Sequence, residues 1–134
     1  MSSNSIRILL IDDQKDFIDT ISFWLRTKGH EVKTAMSGME GVEEIKKGGI
    51  DLVFLDFKMP DMNGLQTLEK IREFNKTIPV VIVTAYADDA IVSETKRYNI
   101  SGLDRCCILS INILKSTLYY RHTILLFLLL IYFL

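Results

Sequence analysis

At 134 residues and 15.4 kDa the chain is one domain's worth, able to bury about two thirds of its unfolded surface without a metal or disulfide. Sixteen basic against 17 acidic side chains leave a net charge of −1, which removes the electrostatic case for a nucleic-acid partner. With 49% hydrophobic residues and two prolines, it is neither a disordered acidic tail nor a collagen-like chain.

That average conceals a seam. Residues 1–100 read as an ordinary globular stretch with a small acidic excess, whereas residues 101–134 are slightly basic and much richer in apolar side chains. The two cysteines, Cys106 and Cys107, are adjacent. Neighbouring cysteines rarely bridge each other, and two cannot supply the ligands of a zinc site. Arg7 is followed by an apolar run only as far as Ile11, too short for a signal-peptide core. Reduced cysteines and no leader predict a cytoplasmic protein.

In chain order, Ile6–Ile11 is a short β-branched run ending in acids, as suits a strand buried on both faces. Phe17, Ile18, Ile21, Trp24 and Leu25 form one stripe of a helix that Gly29 stops. Glu31–Ala35 reads as a second strand. Ser37 with Glu40 predicts a capping box opening a helix with Val42 and Ile45 inward. Leu52–Leu55 is a strand followed by a helix marked by Leu65, Leu68 and Ile71. Val80–Val83 is a strand followed by a helix marked by Ile91, Val92, Thr95 and Tyr98. Strand–helix alternation with short links predicts an α/β fold, with right-handed crossovers and a parallel sheet covered on both faces. In such sheets the working site lies beyond the carboxyl ends of the strands.

Those ends carry a consistent set of side chains. Asp12 and Asp13 follow the first strand, Asp56 ends the third, and Thr84 ends the fourth. Three carboxylates converging in one shallow pocket cannot all remain ionised without a cation between them. An all-oxygen donor set without His or Cys favours Mg²⁺ over zinc or iron. Taken singly, each residue has a plainer reading as a helix cap, a solvated turn or a strand terminus. After Asp56 comes Phe57-Lys58-Met59-Pro60-Asp61-Met62-Asn63-Gly64, where Pro60 fixes a turn and Gly64 permits a tight start to the next helix. Such a loop holds Asp56 open to solvent.

The set Asp12-Asp13, Asp56 with Met59-Pro60 and Gly64, and Thr84-Ala85 resembles the receiver domain of two-component response regulators, over residues 6 to about 103. The resemblance implies a doubly wound, flavodoxin-like five-stranded sheet of order 2-1-3-4-5. It implies that Asp56 accepts a phosphoryl group from a sensor histidine kinase, a phosphotransfer protein or a small phosphodonor. Asp13, Asp56 and the backbone carbonyl of Lys58 would hold Mg²⁺, with Asp12 acting through a coordinated water. Thr84 would hydrogen-bond the phosphoryl group as the switch. The chain would then be a stand-alone switch or relay with an unknown downstream protein partner, not a turnover enzyme, since no residues remain for an output module.

The pattern breaks further on. Receivers place a Lys after the fifth strand, about 22 residues beyond the Thr, and that count reaches Cys106, with Leu103 at the aromatic switch position. Arg105 is one residue off and so faces the other side of a strand, and Lys115 is too distant to substitute. Loss of that cation predicts a site that is phosphorylated but weakly coupled to its switch, by about 1.5–3 kcal/mol.

Residues 1–103 are therefore read as the receiver and 104–134 as an atypical hydrophobic segment. Its end, Ile124–Leu134, is apolar throughout, unlike an amphipathic last helix. As a helix it would span roughly 16 Å, half a bilayer core, which disfavours a membrane span. An interfacial or oligomeric contact flanked by Tyr119, Tyr120 and Arg121, or a departure of the coding frame near residue 104, are the other readings. Two different functions compete with the switch: a dehalogenase-type phosphatase, which needs an Asp where Lys58 stands, and a degenerate receiver serving as an interaction or membrane-associated module.

Overall fold

The computed structural model describes residues 5–84, 93 and 106–110. Its elements run β1 (Arg7–Ile11), α1 (Lys15–Thr27), β2 (Glu31–Ala35), α2 (Gly38–Lys46), β3 (Leu52–Asp56), α3 (Gly64–Phe74), β4 (Val80–Thr84) and β5 (Cys106–Ser110). The strands form one sheet, every pair parallel as the alternation of elements predicts, in the order β2-β1-β3-β4-β5 that the family resemblance implies. The expected helix through Ile91, Val92, Thr95 and Tyr98 lies outside the described residues, as do Leu103, Arg105, Lys115, Tyr119, Tyr120, Arg121 and Ile124–Leu134.

The inner strands β1, β3 and β4 are nearly unbroken apolar runs because both of their faces are covered, whereas the edge strand β2 alternates exposed and buried residues. Successive residues divide between two cores. Ile8, Leu10, Leu52, Phe54, Val81 and Val83 face the side where α1 contributes Ile21 and Leu25. Leu9, Ile11, Val53, Leu55, Val80 and Ile82 face the other, filled by Val42 and Ile45 of α2 and Leu68 and Ile71 of α3. Helix α1 stops in a Schellman turn: the Gly29 N–H donates to Arg26 O (3.0 Å) and the His30 N–H to Leu25 O (3.2 Å), with Gly29 at φ 91°. Trp24, expected within the buried stripe, is 37% exposed at its margin, with the Lys28 ammonium 5.5 Å from the ring centroid.

Ser37 caps α2 by accepting from the Glu40 N–H (3.1 Å). Glu40 departs from the expected box, because its carboxylate accepts from the Met36 N–H (2.8 Å), one residue before the cap. At the far end of the sheet, Arg7 and Asp51 lock β1 to the start of β3. The guanidinium donates to both carboxylate oxygens (2.8 and 3.0 Å), and the Asp51 N–H donates to Arg7 O (2.7 Å).

The largest departure from the sequence reading is at β5. Counting forward from Thr84 placed Cys106 at the site end of the strand. The pairing instead puts Cys106 at its start, opposite Val80, and leaves Ser110 level with Thr84. Although β5 is the edge strand of the sheet, the apolar run Cys106–Leu109 is what pairs with β4, whereas the preceding Gly102, Asp104 and Arg105 would carry a flexible backbone and two charges into that register.

Leu68, 1% exposed on α3, reports on this packing directly. Leu68→Ala should lower unfolding free energy by about 2–5 kcal/mol, seen as a reduced urea midpoint at unchanged slope. A loss under about 1 kcal/mol would mean that α3 is not closely packed on the sheet.

Candidate functional site

The sheet reverses its direction of growth at β1 and β3, and there its ends meet. The parallel register pairs Ile11 with Leu55, so Asp12 and Asp56 follow on adjacent strands about 4.8 Å apart. Asp56 in turn pairs with Val83, and the Phe57 N–H donates to Val83 O (3.3 Å), which sets the backbone of Thr84 at the same end. One carboxylate oxygen from each of Asp12, Asp13 and Asp56 lies within 4.8 Å of the others. Asp12 is buried, Asp56 half-buried and Asp13 exposed, which makes an open-mouthed cluster.

The acids after β1 are not helix caps. Gln14 occupies the N-cap of α1 and makes no side-chain capping bond. Asp12 Oδ1 instead accepts from the Gln14 N–H (2.8 Å), and the Asp12 N–H donates to Ala35 O of β2 (3.1 Å), so the following turn and the neighbouring strand β2 fix its position. Burial pushes the Asp12 carboxyl up to about 7; repulsion from Asp56 and Asp13 adds to this, and the Gln14 hydrogen bond offsets part of it. Ionising Asp12 beside the other two acids is therefore costly. A hard divalent cation with oxygen ligands, Mg²⁺ above all, matches that donor set.

The loop after Asp56 is folded back on itself. The Gly64 N–H donates to Phe57 O (2.8 Å), and the Lys58 backbone lies inside the hairpin so closed. Gly64 is required for closeness: a Cβ there would stand 2.8 Å from Phe57 Cα and 2.5 Å from Asp56 O, both backbone atoms. Asp61, at φ 65°, sits in a γ-turn whose Met62 N–H donates to Pro60 O (2.7 Å). Met59 is buried beneath the loop.

Sequence reasoning missed the capping box at Asn63 and Gln66. Asn63 Oδ1 accepts from the Gln66 N–H (2.9 Å) and the Asn63 N–H donates to Gln66 Oε1 (3.0 Å). The signal was an Asn three residues ahead of a Gln, bracketing the first apolar residue of the helix. Thr67, fully buried, adds a bond from its hydroxyl to Asn63 O (2.8 Å).

Known proteins are similar to this chain in sequence and in fold. The sequence model of the response regulator receiver domain matches residues 8–103. The chemotaxis protein CheY of Treponema pallidum is 39% identical over 107 residues, covering 74% of each chain. The transcriptional regulatory protein ZraR of Klebsiella oxytoca is 35% identical over 109 residues, 78% of this chain but only 25% of the regulator. Among solved structures, the chemotaxis protein CheY4 of Vibrio cholerae superposes with a TM-score of 0.75 at 23% identity, over 92% of this chain and 96% of that one. The response regulator TrrA of Thermotoga maritima, solved in complex with Mg²⁺ and beryllium fluoride, has a TM-score of 0.66 at 26% identity, over 90% of this chain and 96% of that one.

The folded chain keeps the Asp12 proton until about pH 7, against 3.8 for a free side chain, so between those values the folded state binds more protons than the unfolded one. Stability is therefore lost to Asp12 as pH rises through that window. Asp12→Asn keeps the oxygen that accepts from Gln14 and removes the charge. In metal-free buffer its stability advantage over wild type should grow from nothing near pH 4 to on the order of 2 kcal/mol above pH 7, discounted for the water that still reaches the carboxylate. A gap that does not change with pH would contradict it.

Proposed function

The chain belongs to the response regulator receiver domain family, and on that footing we propose that it is a phosphoacceptor switch or relay in which Asp56 receives a phosphoryl group. The observation that carries this reading is the meeting of three carboxylates at the reversal point of the sheet, with Asp56 on the side open to solvent. An Asp56 carboxylate oxygen attacks the phosphorus of a phosphohistidine on a sensor kinase or phosphotransfer protein, or of a small acyl phosphate. The new bond is an aspartyl phosphate, and the bond to the leaving group breaks in line.

Asp13, Asp56 and the Lys58 backbone carbonyl would hold Mg²⁺, with Asp12 joined to it through water. Mg²⁺ bound there offsets charge on the phosphoryl oxygens. The related TrrA was solved with Mg²⁺ and beryllium fluoride, which supports the cation and a phosphoryl-shaped ligand at this kind of site. The buried Asp12 keeps the pocket polar, and the Phe57–Gly64 hairpin holds the Lys58 backbone close to Asp56. Thr84, ending β4, would donate its hydroxyl to the phosphoryl group and draw its loop inward.

Ser110, level with Thr84, and Ile111–Leu114 after it carry no cation. The phosphoryl group would then lack one charge-assisted contact, leaving the switch weakly coupled to phosphorylation. Residues 1–103 would carry the phosphoacceptor machinery and 104–134 an atypical ending. The chain acts on itself more than it turns over a substrate, signals to a downstream protein, and works in the cytoplasm. Among the described residues no helix is long and apolar enough to cross a membrane.

Acetyl phosphate with Mg²⁺ should add one phosphoryl group per chain, read by intact mass, and the adduct should disappear in Asp56→Asn and on chelation of the metal. Labelling that persists in Asp56→Asn would place the acceptor elsewhere, and a chain that never labels would leave only a degenerate interaction module.

A further inference from the structure

Asn63 is followed by Gly64, and glycine offers no Cβ to hinder its own backbone nitrogen. In that dipeptide the Gly nitrogen can attack the Asn side-chain carbonyl carbon. A C–N bond forms, the side-chain amide nitrogen leaves as ammonia, and water then opens the five-membered ring at either carbonyl to give an aspartyl or isoaspartyl residue. No oxidant or enzyme is consumed.

The fold engages both reacting groups elsewhere. The Gly64 N–H donates to Phe57 O (2.8 Å), and Asn63 Oδ1 accepts from the Gln66 N–H (2.9 Å). The Asn63 N–H is held by Gln66 Oε1 (3.0 Å), and Asn63 O accepts from the Thr67 hydroxyl (2.8 Å) and the Thr67 N–H (3.0 Å). Immediately upstream, Asp61 at φ 65° closes a strained γ-turn, so the capped state is held against a local cost that opening relieves.

We propose that Asn63 is a site of spontaneous deamidation gated by the N-cap of α3: the closed cap protects it, and reaction proceeds from the opened loop. The rate then reads the opened fraction of the Phe57–Gly64 hairpin. The product matters for the neighbouring cluster. Either form adds a carboxylate to the loop that begins at Asp56. The isoaspartyl form also inserts a methylene into the backbone, so the Gly64 amide no longer meets Phe57 O while the cap stays closed.

The test follows the full chain in warm, mildly alkaline buffer, with peptide mapping by mass spectrometry and isoaspartyl detection at position 63. Its readout is a covalent change, independent of phosphoryl transfer. The urea-unfolded chain should convert fastest, and the native chain at least about tenfold more slowly. Native Gln66→Ala, which loses one side of the capping box, should convert roughly fivefold faster than native wild type. Asn63→Gln, which would need a larger ring, should not convert. Equal rates for native and unfolded wild type, no conversion even when unfolded, or a Gln66→Ala rate equal to wild type would each overturn the proposal. If Gln66→Ala does not fold, the native and unfolded wild-type rates decide between these outcomes.

Discussion

Parallel pairing of β1 with β3 is the constraint on which the rest of this structure depends. Two apolar strands in register, each followed or ended by an acid, must deliver Asp12 and Asp56 to neighbouring positions at the edge of the core. Strand spacing alone sets them within reach of one another. Burial of Ile11 and Leu55 in the same core gives this register its stability, since a slip of one residue would turn one strand's side chains to the opposite face. The carboxylates repel, and the two packed faces hold them together regardless. Burial on this ladder raises the Asp12 carboxyl, and repulsion from Asp56 and Asp13 adds to it.

The surrounding contacts keep the cluster in place. Ala35 O holds the Asp12 backbone from β2, Gln14 holds its side chain, and Phe57 O pins the start of α3 directly behind Asp56. Gly64 is the residue that lets α3 come so near. The site is thus a property of the sheet ends and the β3–α3 loop together.

Much of this was legible in the sequence because strand-forming runs and acids at their ends are local signals. The alternation of elements, the sheet order implied by the family resemblance and the convergence of Asp12, Asp13 and Asp56 follow from short stretches read one at a time. The register of β5 did not follow, because counting residues from Thr84 assumes a connection of standard length. Here the apolar run Cys106–Leu109 sets the pairing instead. Trp24 was misplaced because helical periodicity fixes a stripe but not its width. The Asn63 capping box is present as a motif, whereas the requirement at Gly64 is close approach to the Asp56–Phe57 backbone, which no local pattern encodes. The family relation adds a wider context. This chain spans three quarters of a free chemotaxis protein but only a quarter of a transcriptional regulator, so the same domain serves in chains of different length.

The central proposal is that the carboxylate cluster takes a divalent cation, which offsets the cost of ionising the buried Asp12. It is tested most directly by unfolding wild-type protein with and without Mg²⁺ across pH. Stabilisation by the ion should be large above pH 7, where Asp12 is ionised, and should fade as pH drops and the cluster takes up protons. A Mg²⁺ effect that is absent, or equal at acidic and alkaline pH, would contradict the account.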